Sequence, residues 1–198
     1  MMTMDYKGAE EYILQRLESE LPENLYYHNF RHTLDVLESA VNYSKMEKID
    51  EYGLILLKTA ALYHDCGFLN KYSHNEDESV IIVHDTLPKY NYNHNQVESV
   101  KRMILCTEIP QKPKTILEKI LCDADLDYLG RNDFFMTGIC LLREWNENGI
   151  NTSLREWYIQ ELYFLQQHEY FTLSACKLRN ELKLTHLQQI RDLLGENL

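Results

Sequence analysis

Apolar side chains recur at every third or fourth position along nearly the whole chain, as at Ile13, Leu14, Leu17 and Leu21. Few stretches alternate with a period of two. Breaks in the rhythm are scarce, because 7 glycines and 4 prolines are all that punctuate 198 residues. A chain with so little turn chemistry has few places to reverse into hairpins, and the pattern predicts an all-α fold. No repeat, low-complexity tract or linker divides it, so one domain over 1–198 is expected, long enough to bury a core.

Caps and breakers mark the expected helices. The first runs from Asp5 to Glu20 and stops before Pro22. The second starts near His28 or Asn29 and reaches Lys48, with Leu34, Val36, Leu37, Val41 and Met46 as its buried face. The third follows Asp50, an N-cap residue type, and ends at His64-Asp65. Cys66 to Asn75 is expected as a polar loop around Gly67. A fourth helix starts near Glu76 and stops before Pro88, and Asn93 or Asn95 caps a fifth that ends near Thr107. Ile116 to Leu126 is expected as a buried helix, followed by helices over Arg131–Asn146, Ser153–Gln167 and Thr172–Leu194. The last carries Leu173, Leu178, Leu182, Leu187, Ile190 and Leu193, a stripe suited to the core or to a second copy in a homo-oligomer.

Net charge is −11, which argues against a surface that coats nucleic acid, since that needs clustered Lys and Arg. The start, Met1-Met2-Thr3-Met4-Asp5-Tyr6-Lys7, lacks a basic-then-apolar leader. No apolar run nears the roughly 18 residues of a membrane span. Five cysteines (Cys66, Cys106, Cys122, Cys140, Cys176) form no CxxC pair. Reduced thiols in a cytoplasmic protein are expected.

Three stretches carry chemistry. In Ala60-Ala61-Leu62-Tyr63-His64-Asp65 an apolar helix ends on adjacent imidazole and carboxylate groups, which suit a divalent cation with mixed N/O coordination. His28 and His32 are one helical turn apart on one face. Asp125 ends the apolar run from Ile116, where a buried carboxylate is costly without a cation or donor. Its neighbours Asp123 and Asp127 also suit a capped helix end.

Together His32, His64-Asp65 and Asp125 resemble the site of the HD-domain superfamily of metal-dependent phosphohydrolases, over about residues 26–131. The run Tyr27-His28-Asn29-Phe30-Arg31-His32-Thr33-Leu34-Asp35-Val36 is similar to the metal-binding signature of class I cyclic-nucleotide phosphodiesterases. Ala124-Asp125-Leu126 is similar to the segment with their last ligand. The chain length and the stretch Leu121 to Arg131 look closer to small bacterial HD proteins.

The resemblance implies a single HD-domain helical bundle, with C-terminal helices over 132–198 packing on the metal-binding core. It implies metal ligands His32, His64, Asp65 and Asp125, and catalytic roles for His28 as general acid and for Asp65, which can also bridge a second ion. The donor set accepts Mn, Fe, Co, Ni, Zn or Mg. The expected activity is hydrolysis of a phosphoester of a nucleotide or other small molecule by a metal-activated water, of phosphodiesterase type. The same site also suits a phosphomonoesterase, a nucleotide pyrophosphohydrolase or a regulatory module that binds a nucleotide without turnover. A paired-iron oxygenase would need more ligands, and His74, His84 and His94 stand in the region where two-metal relatives place them. Lys71, Arg102 and Arg131 are cations suited to phosphate, with Lys71 and Arg131 taken as substrate-binding. Asp35 and Glu76 are candidate supports for the imidazoles. Ser79 is a candidate to face the site, and His168 to line the pocket or cap a helix.

Overall fold

The computed structural model describes residues 3–195; the ends of the expected 1–198 unit, residues 1–2 and 196–198, lie outside the described residues. The chain forms α1 (Tyr6–Glu20), α2 (Phe30–Met46), α3 (Glu51–Tyr63), α4 (Asn75–Thr86), α5 (His94–Leu105), α6 (Ile116–Asp125), α7 (Phe134–Glu147), α8 (Leu154–Gln167) and α9 (Leu173–Leu194). Short 3₁₀ turns cover Cys66–Leu69, Leu87–Tyr90 and Asp127–Gly130, and there is no strand among the described residues. The all-α expectation holds. No helix among these residues is long and apolar enough to cross a membrane.

The helix starts follow their caps. Asp5, Asn29 and Asp50 cap α1, α2 and α3 through side-chain oxygens. Asn93, rather than Asn95, caps α5 in a reciprocal box with Gln96. Thr115 with Glu118 and Ser153 with Glu156 do the same for α6 and α8. Helix α7 begins at Phe134 rather than Arg131, because the Arg131 N–H closes the preceding 3₁₀ turn on Tyr128 O and Arg131 is itself extended.

Helix α2 packs on α3 and α6. Its inner face is Val36, Ala40 and Tyr43, while Leu34 and Met46, expected inside, are exposed. One apolar cluster joins Ala9, Ile13 and Leu17 of α1 to Leu57 and Ala61 of α3, Val100 and Ile104 of α5, and Leu121 of α6. A second joins Tyr27, Leu126, Tyr128 and Phe134 to Leu162 and Leu165 of α8 and Ile190 of α9. Fully burying one such aliphatic side chain contributes roughly 1.5–3 kcal/mol. Leu173, Leu178 and Leu193 of α9 are exposed, and Lys183 and His186 take the buried face instead. All five cysteines are free.

The segment expected as a polar loop, Cys66 to Asn75, begins as a buried 3₁₀ turn with Cys66, Gly67 and Phe68 inside. The Ser79 hydroxyl ties it down, donating to His64 O and accepting from the Gly67 N–H. A Cβ on Gly67 would overlap Asn75 O and stand 2.8 Å from Ser79 N. Both are backbone atoms of the first turns of α4, so neither can swing aside. Gly67→Ala is expected to cost about 3 kcal/mol or more, a fall of roughly 6–12 °C in Tm for a chain of this size. A thermal melt checks it, and an unchanged Tm would contradict the packing described.

Candidate metal centre

Four side chains meet where α2, α3 and α6 approach one another. His32 stands in the first turn of α2, where the Asn29 side-chain oxygen Oδ1 accepts from its N–H at 3.3 Å, and the Tyr27 ring lies on its imidazole at 4.5 Å. His64 and Asp65 occupy the end of α3. Asp125 is the last residue of α6. Ligand atoms of His32, His64 and Asp125 all lie within 4.8 Å of one another. The His32 and His64 Nε2 atoms are 3.3 Å apart, and Asp125 Oδ1 is 3.2 Å from the first and 3.5 Å from the second. Asp65 Oδ2 lies 3.1 Å from His64 Nε2 and 3.4 Å from His32 Nε2.

These residues fit a divalent cation. His64 Nδ1 donates to Ala61 O at 2.9 Å, which turns the Nε2 lone pair toward the cluster. Asp65 Oδ1 accepts from the Asn75 amide, but its buried Oδ2 has no hydrogen-bond partner among the described residues. Burial opposes charge on all four groups. The facing carboxylates outweigh it and hold both imidazoles above their ordinary range, and the imidazoles in turn hold Asp65 and Asp125 low. An M²⁺ ion held by these residues would supply positive charge in place of the imidazole protons that face the carboxylates.

The neighbouring acids do structural work. Asp123 accepts from the N–H groups of Phe171 and Thr172, both at 2.8 Å, and from the Thr172 hydroxyl, and so holds the start of α9. Asp127 accepts from the Tyr43 hydroxyl and from Arg179 Nε at 2.7 Å. Asp125 alone of the three turns to the histidines.

His28 lies beside the cluster, its ring 5.8 Å from that of His32. It is stacked on Phe68 with centroids 4.4 Å apart, and its Nδ1 is 2.5 Å from Glu144 Oε1. Glu144 Oε2 accepts the N–H groups of Tyr27 and His28 at 2.8 and 3.0 Å. Burial works against the charge on Glu144, but these donors outweigh it and keep the carboxyl below its ordinary range. The side chain of Glu144 is fully buried. Nothing near it in sequence marks it, since its partners lie 116 and 117 residues away.

His28, Asp65 and Asp125 line a cavity of about 540 Å³, a size that suits a small-molecule ligand. Its walls come mainly from α7 and α8, with Leu141, Trp145, Trp157, Glu161 and Phe164. Glu76 lines it too; burial, and then the charges of Asp65, Glu108 and Asp125, raise its carboxyl. It makes no contact that would hold an imidazole. Asp35 pairs with Arg131 at 3.2 Å instead. Arg131 also pairs with Asp133 at 2.5 Å and lines a smaller hollow beside His32 and Asp125. Lys71 does not line the cavity: its ammonium is half exposed, 3.8 Å from Glu78. Arg102 is exposed, and Ser79 serves the turn described above. His74, His84 and His94 are exposed and join no metal-type cluster among the described residues. His168 caps the end of α8 and does not line the cavity.

Glu161 went unmarked in the sequence, although an acid between Trp157 and Leu165 on one buried helical stripe is a signal. Burial pushes its carboxyl from an ordinary value near 4.5 up to about 7. Below pH 4.5 it is protonated both folded and unfolded, and costs nothing. Above pH 7 it is charged in both, and the buried charge costs on the order of 3 kcal/mol at about 1.4 kcal/mol per pKa unit. Glu161→Met is therefore expected to raise Tm at pH 8, with the gain shrinking as pH falls from 7 toward 4.5. Equal gains at pH 8 and pH 4.5 would contradict this.

The bundle gathers two histidines and an aspartate from three helices, residues that could hold a metal ion, and the aspartate also lines a cavity of small-molecule size. Solved structures of the same fold match the chain over almost its whole length. A predicted HD superfamily hydrolase from an uncultured Thermotogales bacterium shares 18% identity over 94% of this chain and 91% of its own, with a TM-score of 0.65. YpgQ of Bacillus subtilis, solved in complex with ADP, shares 21% over 96% of each chain, also at 0.65. The Lin1889 protein of Listeria innocua shares 19% over 97% and 98%, at 0.64. The likeness to these structures is one of fold. No family model matches the chain, and no curated protein matches it in sequence.

Proposed function

We propose that this protein is a metal-dependent phosphohydrolase acting on a nucleotide or another small phosphoester. The observation that carries the reading is the convergence of His32, His64 and Asp125, with the buried Asp65 Oδ2 that makes no hydrogen bond among the described residues, at the edge of a cavity lined by His28, Asp65 and Asp125. His32, His64 and Asp125 would hold the ion, with Asp65 beside them. When bound, a divalent cation there supplies a Lewis acid for phosphoryl oxygens and a water of lowered pKa. Glu144 fixes the His28 ring through Nδ1 and leaves Nε2 as the atom that delivers a proton to the leaving oxygen. ADP bound to YpgQ, a protein of the same fold, supports a nucleotide as the substrate class.

The test is hydrolysis of bis-p-nitrophenyl phosphate, p-nitrophenyl phosphate and a panel of nucleotides by metal-stripped protein to which Mn²⁺ is returned. Metal-dependent release that Asp125→Ala loses is the expected result. Nitrophenol from the diester marks a phosphodiesterase, inorganic phosphate a monoesterase, and pyrophosphate from a nucleoside triphosphate a pyrophosphohydrolase. Bound metal and bound nucleotide without any product would overturn the reading in favour of a binding module.

A further inference from the structure

The mechanism leaves Glu161 in the cavity without work. Glu161 is 5% exposed, lines the cavity that His28 and Asp125 also line, and its buried Oε2 has no hydrogen-bond partner among the described residues. It has no cationic partner in an ion pair among them. Above the value of about 7 to which burial pushes it, Glu161 is a carboxylate, which accepts hydrogen bonds and cannot donate them, and leaving it unpaired is unfavourable. Such a group persists where a ligand completes it.

The walls around Glu161 say what kind of ligand. Trp145 and Trp157 meet edge to face with centroids 5.1 Å apart, and Leu126, Leu141 and Phe164 add to an apolar slot. Such walls favour a flat aromatic body. The carboxylate demands N–H donors on its edge, best an adjacent pair that two oxygens accept together. Among the nucleobases, guanine presents N1–H beside the N2 amino group. Adenine and cytosine set a ring acceptor beside their amino group, which repels a carboxylate. Uracil and thymine place one N–H between two carbonyls.

We infer that Glu161 is a specificity-determining residue that selects a guanine-type base, a flat ring with two adjacent N–H donors, in the aromatic cavity beside the metal centre. The inference rests on the reading of the site as one for a nucleotide-like phosphoester. It goes further by naming the edge that the ligand presents. A site built to accept a hydrogen bond rejects analogues that lack the donor far more strongly than an apolar slot rejects a missing methylene, so the expected discrimination is large.

Both of the chain's tryptophans line the cavity, so their fluorescence reports its occupancy. The experiment titrates the full chain at pH 8, where Glu161 is ionised, with guanosine, inosine and adenosine, which carry no phosphate and need no turnover. Guanosine is expected to quench saturably, adenosine to bind at least about tenfold more weakly, and inosine, which keeps one donor of the pair, to fall between. Glu161→Gln sets an amide donor against the donors of the base, and is expected to lose at least about tenfold in guanosine affinity with its metal content unchanged. Equal binding of guanosine and adenosine by the wild-type chain overturns the assignment, whatever the variant does. Unchanged guanosine affinity in Glu161→Gln overturns it as well. A protein that binds guanosine through Glu161 yet hydrolyses no phosphoester keeps this assignment and loses the hydrolase reading. One that hydrolyses nucleotides but binds all three nucleosides alike loses this assignment alone.

Discussion

Asp125→Ala is expected to empty the metal centre and lower phosphoester hydrolysis on the order of 10³-fold, equivalent to about 4 kcal/mol of transition-state stabilisation. Asp125 Oδ1 stands 3.2 and 3.5 Å from the two imidazole Nε2 atoms. It is the one ligand that α6 contributes, so removing it opens the cluster on that side. Asp123→Ala provides the contrast. That residue is two positions earlier on the same helix, yet its carboxylate is spent on three donors at the start of α9. Its loss strands those buried donors at about 1–3 kcal/mol each and is expected to lower Tm while leaving the metal in place. Metal content by mass spectrometry and a thermal melt separate the two variants. Full metal occupancy and undiminished activity in Asp125→Ala would contradict a centre at this position.

Glu144→Gln is expected to slow hydrolysis by about 10²–10⁴-fold, the usual contribution of a general acid, while metal content stays at the wild-type level. One carboxylate oxygen accepts the two backbone N–H groups and the other holds His28 Nδ1. The amide keeps the first arrangement and turns an N–H₂ group toward the imidazole, so Nδ1 loses the acceptor that orients the ring. The loss should be greatest for substrates with poor leaving oxygens and small for nitrophenyl esters, whose departing oxygen needs little proton help. A purely structural role for Glu144 would instead slow every substrate alike, and that pattern would remove His28 from the mechanism. Glu144→Ala goes further by stranding two buried N–H groups, and a marked loss of Tm is expected.

Much of this molecule was legible in one dimension. The spacing of apolar residues, the caps at Asp50 and Asn93 and the scarcity of glycine and proline are local signals, and helices respond to local signals because their hydrogen bonds close within four residues. The same locality made His64-Asp65 and the His28–His32 pair stand out. Where these expectations failed, a contact made in the folded chain was the reason. The Cys66 to Asn75 segment reads as a polar loop until Ser79 and the close approach allowed by Gly67 bury its first turn. Lys71 reads as a phosphate ligand until the turn delivers it to Glu78.

The sequence by itself determined the helices, their caps and the residue types that can hold a metal, since each of these rests on neighbours within a few positions. Only the tertiary structure decided which of three alternating acids, Asp123, Asp125 or Asp127, turns to the histidines, because that depends on what α9 and α2 bring against each face of the α6 end. It also decided that Glu144, 116 residues from His28, positions that ring, and that Glu161 stands unpaired in an aromatic cavity. A carboxylate's role follows from the donors that surround it, and those donors are chosen by packing between distant helices.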